Sequence, residues 1–497
     1  MDHAPRPHGS YLFARSCPYD VKWSMENEKK YGSEVMMSCI NKKLLGLTAA
    51  VALFAANALP ASAAPASNMI MMNNVTPSML SADYWLGDSG DKILLGSEGI
   101  DAANNANYNT PETCMVRLAA EPDTYDGIAL RDSLASFEDP KGLFLHAKPV
   151  TAAYYETIRK NIAGTKAQSD MHVGYGIMSS RDVMKNLPTM DDLSDDVTDP
   201  EWDNTALSAI MIGEPVLTYV QTADGMFTYV KGTICSGWVR TDSVALCKDK
   251  AEWLDLQQPD DFVIVTGEDV HLEESRACPA VSELSLEMGT KLRLSDKTGG
   301  VNNRMSWYNY VVDMPVRASD GSLTIVPVMI PANRDVHVGY LPFTQKNLLT
   351  QAMKALGNRY GWGGSLHAQD CSGYVRQVYL CFGMELARNT TWQAAMPVRR
   401  IDLAGLSSEA KSAILREVPA GAILQFPGHE MLYLGAEGDD FYTINDVSSL
   451  AMINDETGKL TKMRGRCVVI NGLKDTKRTN GKSWFDQLTR VIIPWEK

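Results

Sequence analysis

The hydrophobic pattern of this chain changes period along its length, and that constrains the fold more than any single motif does. From residue 66 to about 166, apolar residues recur at helical spacing among polar turns, as in the run 151–158. From about 173 to 250, short alternating runs take over at 215–220, 227–230 and 237–240, with the hairpin signal Ala223-Asp224-Gly225 between the first two. A second such series runs from 262–265 through 291–294 to 336–341. After Pro342 the helical period returns: Leu348, Leu349, Ala352, Met353 and Leu356 mark one face of a helix that stops at Gly357. A second helix is predicted from about Ser372 to Phe382, with Gly383 as its C-cap, and strands follow at 422–426, 431–434 and 441–444. At 497 residues the chain is too long for one core. The pattern predicts a multidomain α+β protein with an N-terminal extension and signal over 1–64 and a small, mostly helical leader domain over 65–170. Two small β-barrels over 171–250 and 251–342 and a C-terminal α+β domain over 343–497 follow. The acidic segment 189–203 reads as a long loop or tether within the first barrel.

Lys42 and Lys43 precede an apolar run over 44–59, and Pro60 and the small residues Ala61-Ser62-Ala63-Ala64 follow. That order of basic, apolar and small is an export signal, with cleavage expected after Ala63. The run is short and alanine-rich for a membrane span, so no stable span is expected after processing, and the product is periplasmic or secreted. Met36 or Met37 is the expected true start, and Cys39 lies on the wrong side of the run to carry a lipid. Export places seven cysteines, Cys114, Cys235, Cys247, Cys278, Cys371, Cys381 and Cys467, in an oxidising compartment. An odd number leaves at least one thiol unpaired unless chains are cross-linked. Cys235 and Cys247 are candidates for neighbouring strands. A net charge of −13 argues against nucleic acid as a partner. With no H-E-x-x-H and no C-x-x-C, neither a metal nor another cofactor is expected. Gly87-Asp88-Ser89-Gly90 resembles a serine-protease nucleophile turn only locally, since no room exists upstream for the rest of that fold.

Chemistry concentrates in Tyr360-Gly361-Trp362-Gly363-Gly364, Asp370-Cys371-Ser372-Gly373, Arg388, Gln393 and Pro427-Gly428-His429. Cys371 sits in the first turn of the second helix, where unpaired N–H groups and the dipole favour a thiolate. A thiolate needs a proton acceptor, and six histidines follow the apolar run: His146, His172, His271, His337, His367 and His429. His429 opens an apolar strand directly after a tight Pro-Gly turn, in the same domain and far away in sequence, so a rigid sheet can aim it at the helix start. A third polar group must orient the imidazole, and Asn445, at the end of the next strand, is placed for that. Cys381 reads as a buried small hydrophobe and His367 as a loop residue.

These elements, in this order, resemble the NlpC-type family of papain-like cell-wall cysteine peptidases, from Leu356 to Ala394 and again in the Gly428-His429…Asn445 spacing. The leader and the two barrels resemble the subgroup that carries an N-terminal domain and two bacterial SH3-like domains, with Gly213-Glu214-Pro215-Val216 and Gly237-Trp238-Val239 in the first barrel. The resemblance implies a papain-like peptidase domain that hydrolyses the bond between γ-linked D-Glu and a diamino acid in peptidoglycan-derived stem peptides with a free N-terminal L-Ala. It further implies Cys371, His429 and Asn445 as the triad, with Asp370 and Ser372 binding the substrate's amino end. The Cys371 N–H and the Tyr360 hydroxyl are the expected oxyanion donors. On this reading the thiolate of a resting ion pair attacks the γ-glutamyl carbonyl while charged His429 protonates the leaving amine. Two departures stand out: many relatives have His at the position of Asn445, and Ile234 or Cys235 replaces an aromatic residue of the first barrel, from which no site residue is carried over. Two other readings stay open: a wall-binding protein without catalysis, against which the intact Cys371 and His429 count, and an acyl transferase using the same cysteine.

Overall fold

The structure, a computed structural model, describes residues 69–497 apart from 260, 298 and 454–456. The segment read as an export signal lies outside these residues. Among the described residues no helix is long and apolar enough to cross a membrane.

Three helices dominate the leader: α1 (Ser97–Tyr108), α2 (Gly127–Ala135) and α3 (Ala152–Ala163). Asp126 and Thr151 cap the last two, each side chain accepting from a backbone N–H three residues on. Their apolar residues do not gather in a core of their own. Tyr155, Ile158 and Ile162 of α3 pack with Leu217, Val220 and Trp238 of the following domain. Val75, Met79, Ala82 and Ile100 instead join the core of the C-terminal domain. The leader thus bridges two cores.

The first alternating series forms β1 (Gly174–Met178), β2 (Asp182–Lys185), β3 (Ala206–Ile210), β4 (Pro215–Gln221), β5 (Phe227–Lys231), β6 (Ser236–Arg240) and β7 (Val244–Leu246). They make one antiparallel sheet in the order β7-β1-β4-β5-β6-β2-β3. Gly225, with φ +73°, turns β4 into β5 as its sequence announces. Cys235 precedes β6 and Cys247 follows β7, and three strands separate β6 from β7, so the two cysteines are not on neighbouring strands. Both thiols are free. After α4 (Lys250–Gln257), the second series forms β8 (Phe262–Val265), β9 (Asp269–His271), β10 (Ser285–Glu287), β11 (Lys291–Arg293), β12 (Asn309–Arg317), β13 (Leu323–Pro331) and β14 (Val336–Val338). These pair as β11-β8-β14, β9-β10 and β12-β13 around one apolar core that includes Val263, Val265, Leu286, Val312 and Ile330.

In the C-terminal domain, Thr344 caps α5 (Gln345–Lys354) and Asp370 caps α6 (Cys371–Leu380). The helix α7 (Ser408–Glu417) and a six-stranded antiparallel sheet complete it. The sheet runs β15-β20-β16-β17-β18-β19, from β15 (Arg399–Asp402), β16 (Ile423–Phe426), β17 (His429–Glu437), β18 (Asp440–Val447), β19 (Cys467–Gly472) and β20 (Arg490–Ile493). Alternation along β17 and β18 divides two cores. Leu432, Leu434 and Ile444 face α5 and α6, whereas Met431, Tyr433 and Phe441 pack with Leu415 of α7, Trp484 and Phe485.

Candidate active site

Asp370 starts α6 by accepting the Gly373 N–H at 2.8 Å, which puts Cys371 in the first turn. The Cys371 N–H, in that first turn, has no intrahelical acceptor and is the candidate oxyanion donor. Behind the helix, Val375, Val378 and Tyr379 are buried without exposure, so its start is anchored. His429 is fixed from the other side. Phe426 pairs with His429 across the Pro427-Gly428 turn, and Gly428 takes φ +84° as the third residue of that turn. The next residue, Glu430, directs its backbone N–H to the Cys371 sulfur and favours its thiolate, so the sulfur lies against the chain beside His429.

The imidazole is buried between Phe426 and Trp484, ring centroids 5.3 and 5.1 Å away. Its Nε2 meets Asn445 Oδ1 at 2.9 Å. Asn445 Nδ2 donates to Asn471 Oδ1 at 2.7 Å, and Asn471 Nδ2 donates to Thr476 Oγ1 at 2.8 Å. That chain fixes the Asn445 oxygen toward the ring, so Nε2 carries the proton and Nδ1 is the free base.

Burial pushes the Cys371 thiol well up, and the charge of Asp370 and, once ionised, of Glu430 pushes it further. Burial also pushes His429 down to about 4. Both shifts disfavour the charged forms of the pair. Desolvation of the buried thiol thus works against the ion pair expected from the helix start. The proton must move to His429 as the sulfur attacks.

Asp370 does more than cap. Its Oδ2 accepts from Arg388 Nη2 at 2.7 Å and from the Gly363 N–H at 3.1 Å, while Oδ1 also accepts from the Ser372 hydroxyl at 3.0 Å and Arg388 Nη1 at 3.1 Å. Burial works against its charge, but the Arg388 guanidinium and these donors hold it below the usual carboxylate value. The cation that compensates Asp370 is thus already in the protein. Arg388, quoted in the motif without a role, is also tied through Nε to Ser208 Oγ of β3 at 2.8 Å.

Both preceding domains wall the site. Gly363 and Gly364, at φ +61° and +84°, lie against the β3 backbone, where a Cβ on Gly363 would come within 2.7 Å of Ala206 and one on Gly364 within 2.5 Å of the Ala209 nitrogen. Arg181 donates to Gly364 O at 2.6 Å and Ala368 O at 3.2 Å, and pairs with Glu287 of β10. Tyr360 is buried, with Cys371 and Asp370 among the groups that raise its hydroxyl pKa after burial itself. Its ring stacks on Trp202, 6.1 Å between centroids, and Trp202 also stacks on Trp362 at 4.8 Å. Trp202 belongs to the acidic loop between β2 and β3, which Arg464 and Arg466 bind through Asp196 and Asp199, and Arg359 through Glu201 at 2.7 Å. Sequence reasoning missed Trp202, Arg181, Glu287 and Asn471. A lone Trp inside an acidic loop was the available signal for the first, and nothing local announces the others.

The domain around Cys371 matches the family model described as NlpC/P60 family over residues 357–463. The C-terminal domain is an NlpC/P60 domain. Residues 188–240 match the SH3 domain (SH3b1 type) model, which covers most of the first barrel. A solved structure titled as a novel NlpC/P60 endopeptidase from Photobacterium damselae subsp. piscicida is similar in fold, with a TM-score of 0.67 and 19% identity over 84% of this chain and 97% of that one. An NlpC/P60 family protein from Bacillus cereus ATCC 10987 aligns with a TM-score of 0.43 and 16% identity over 65% of this chain and 99% of that one. Comparison with curated proteins finds no match. One chain thus combines an NlpC/P60 domain with an SH3b-type domain, which supports a general cell-wall peptidase role.

Proposed function

We propose that this protein is an exported cysteine endopeptidase that cuts the γ-D-glutamyl–diamino acid bond of peptidoglycan stem peptides bearing a free N-terminal L-Ala. The carrying observation is the constellation itself: a thiol in the first turn of a capped helix, touching the backbone beside a histidine whose far nitrogen is held by Asn445. In this mechanism His429 Nδ1 takes the Cys371 proton as the sulfur attacks the γ-glutamyl carbonyl. The oxyanion meets the Cys371 N–H and the Tyr360 hydroxyl. His429 returns the proton to the departing amine, and water then cleaves the acyl-enzyme with the same imidazole as base. The substrate's ammonium is assigned to Asp370 and Ser372, where it shares a carboxylate that Arg388 keeps ionised.

Digestion of defined stem peptides, with mass analysis of the products, tests the reading. Two fragments parted at the γ-D-Glu bond are expected, and Cys371→Ala is expected to abolish their formation. Cleavage at another bond, or full activity in that variant, sinks it. The export part stands on the basic, apolar and small order of residues 42–64. Terminal sequencing of the exported protein is expected to begin at Ala64, and a membrane-bound full-length product would exclude it.

A further inference from the structure

Glu430 is a buried acid beside Cys371 that the mechanism above leaves unused. It lies on β17 next to His429, on the face shared with Leu432 and Leu434, where the strand is otherwise apolar and fully buried. Its cross-strand partner is Gln425, whose Nε2 donates to Glu430 Oε2 at 2.8 Å and to Thr390 O at 3.0 Å. On the other side, Gln393 lies beside the carboxyl and extends Nε2 to Ser372 O at 3.5 Å. Glu430 Oε1 and Gln393 Oε1 both lack a donor. Among the described residues no cation forms an ion pair with Glu430, because the nearby Arg388 is committed to Asp370. The other ionisable groups facing it are Asp370, Cys371 and Tyr379. A carboxylate in this position would be a buried charge without a cation, which is costly, whereas one proton shared between Glu430 Oε1 and Gln393 Oε1 would satisfy both.

We propose that Glu430 is held as a neutral carboxylic acid between Gln425 and Gln393, and that it acts as a positioning residue keeping its own backbone N–H on the Cys371 sulfur. This brace joins three elements at one point: β16 through Gln425, β17 through Glu430, and the start of α6 through Gln393 and Ser372. Burial is what keeps the proton on, raising the carboxyl to about 8. Above that pH the group becomes an anion beside the thiol, raises the thiol further, and loses its donor to Gln393. Only the kinetic consequence rests on the peptidase reading.

Infrared difference spectra of the full chain against Glu430→Gln test the protonation directly. Gln keeps an acceptor for Gln425 and offers an amide donor toward Gln393, but cannot ionise. A protonated carboxylic acid band assignable to Glu430 is expected at about pH 6 and should vanish at about pH 9.5. Stem-peptide kcat/KM should fall above about pH 8 in the wild type, and this alkaline limb should move upward in the variant. Absence of the band overturns the proposal, and so does an identical alkaline limb in the two proteins. If the band is present and neither protein cleaves any stem peptide, the peptidase reading fails separately. Alkylation of Cys371, followed by mass spectrometry, then takes the place of turnover. It should rise more steeply above about pH 8 in Glu430→Gln, and matching alkylation profiles would reject the positioning role.

Discussion

His429 Nε2 and Asn445 Oδ1 stand 2.9 Å apart with the amide oxygen toward the ring because Asn471 holds the other end of the Asn445 amide at 2.7 Å. An oxygen can only accept, so it forces the Nε2–H tautomer and frees Nδ1 as the base. Asn471→Leu removes that constraint without touching the site. The expected result is a kcat lower by up to about a hundredfold, the low end of what a positioned base contributes, with little change in KM. Leaving the buried Asn445 NH2 with only its 3.4 Å contact to Thr443 Oγ1 should also cost about 1–3 kcal/mol in a urea titration. Nitrogen NMR of His429 should show a growing Nδ1–H population, and an unchanged tautomer would refute the relay.

The burial of His429 gives stability a defined pH dependence. Its folded pKa is pushed down to about 4 from an ordinary 6.5, so the unfolded chain binds the proton more tightly. The contribution is therefore fully present above about pH 6.5 and lost as pH falls toward about 4, at roughly 1.4 kcal/mol per pH unit. Denaturant midpoints measured across that window should slope in the wild type and flatten in His429→Gln. For the same reason the acid limb of kcat/KM should lie near pH 4, below the range of a solvent-exposed imidazole.

Asp370 serves two partners, and kinetics separate them. Arg388→Met leaves a buried carboxylate unpaired and should destabilise the fold by about 3–5 kcal/mol. Asp370→Asn keeps an acceptor for the Gly373 N–H, so most of the cap survives. Its kcat/KM should drop far more on peptides with a free amino end than on their N-acetylated counterparts. Equal losses on both would reduce Asp370 to the cap of α6 and the partner of Arg388.

Gly364 records how closely the barrel approaches the nucleophile loop. A methyl group there meets the Ala209 backbone nitrogen at 2.5 Å and requires φ +84°. Gly364→Ala should cost at least about 2 kcal/mol, of which about 1–2 kcal/mol comes from the left-handed backbone alone. Gly438 has φ +60° but no neighbour within 4 Å, so Gly438→Ala should lose only the backbone part. Similar midpoints for the two variants would mean that the β3 contact carries no energy.

Much of the site was legible because its signals are local. Asp370 before an apolar helical period announces a cap, and the observed α6 begins at Cys371 where a Ser372 start was expected. Pro427-Gly428 announces the turn that places His429. What was not legible lies in groups brought together across domains. The charge of Asp370 was matched in advance to a substrate ammonium, but Arg388 and Ser208 come from a later loop and from another domain. The helix position favours an acidic thiol, and only the packed surroundings reveal the desolvation that opposes it.

The register of β17 and β18 divides the two sources of information most clearly. Sequence alone determined that these are neighbouring strands of one hairpin, that His429 opens the first and that Asn445 lies near the end of the second. It could not determine whether the two side chains share a face. Near the turn the pairing is Glu437 with Asp440 and Gly435 with Tyr442. Beyond a bulge between Tyr433 and Gly435 it becomes Tyr433 with Thr443 and Leu432 with Ile444. Continued without the bulge, the first register would set Asn445 opposite Leu432, on the face away from His429. The single extra residue reverses the alternation, so Asn445 joins His429 on one face and Glu430 turns to the other. Side chains alternate with period two, so a one-residue shift decides which of them meet, and that shift is fixed by the paired strands and the cores on either side of them.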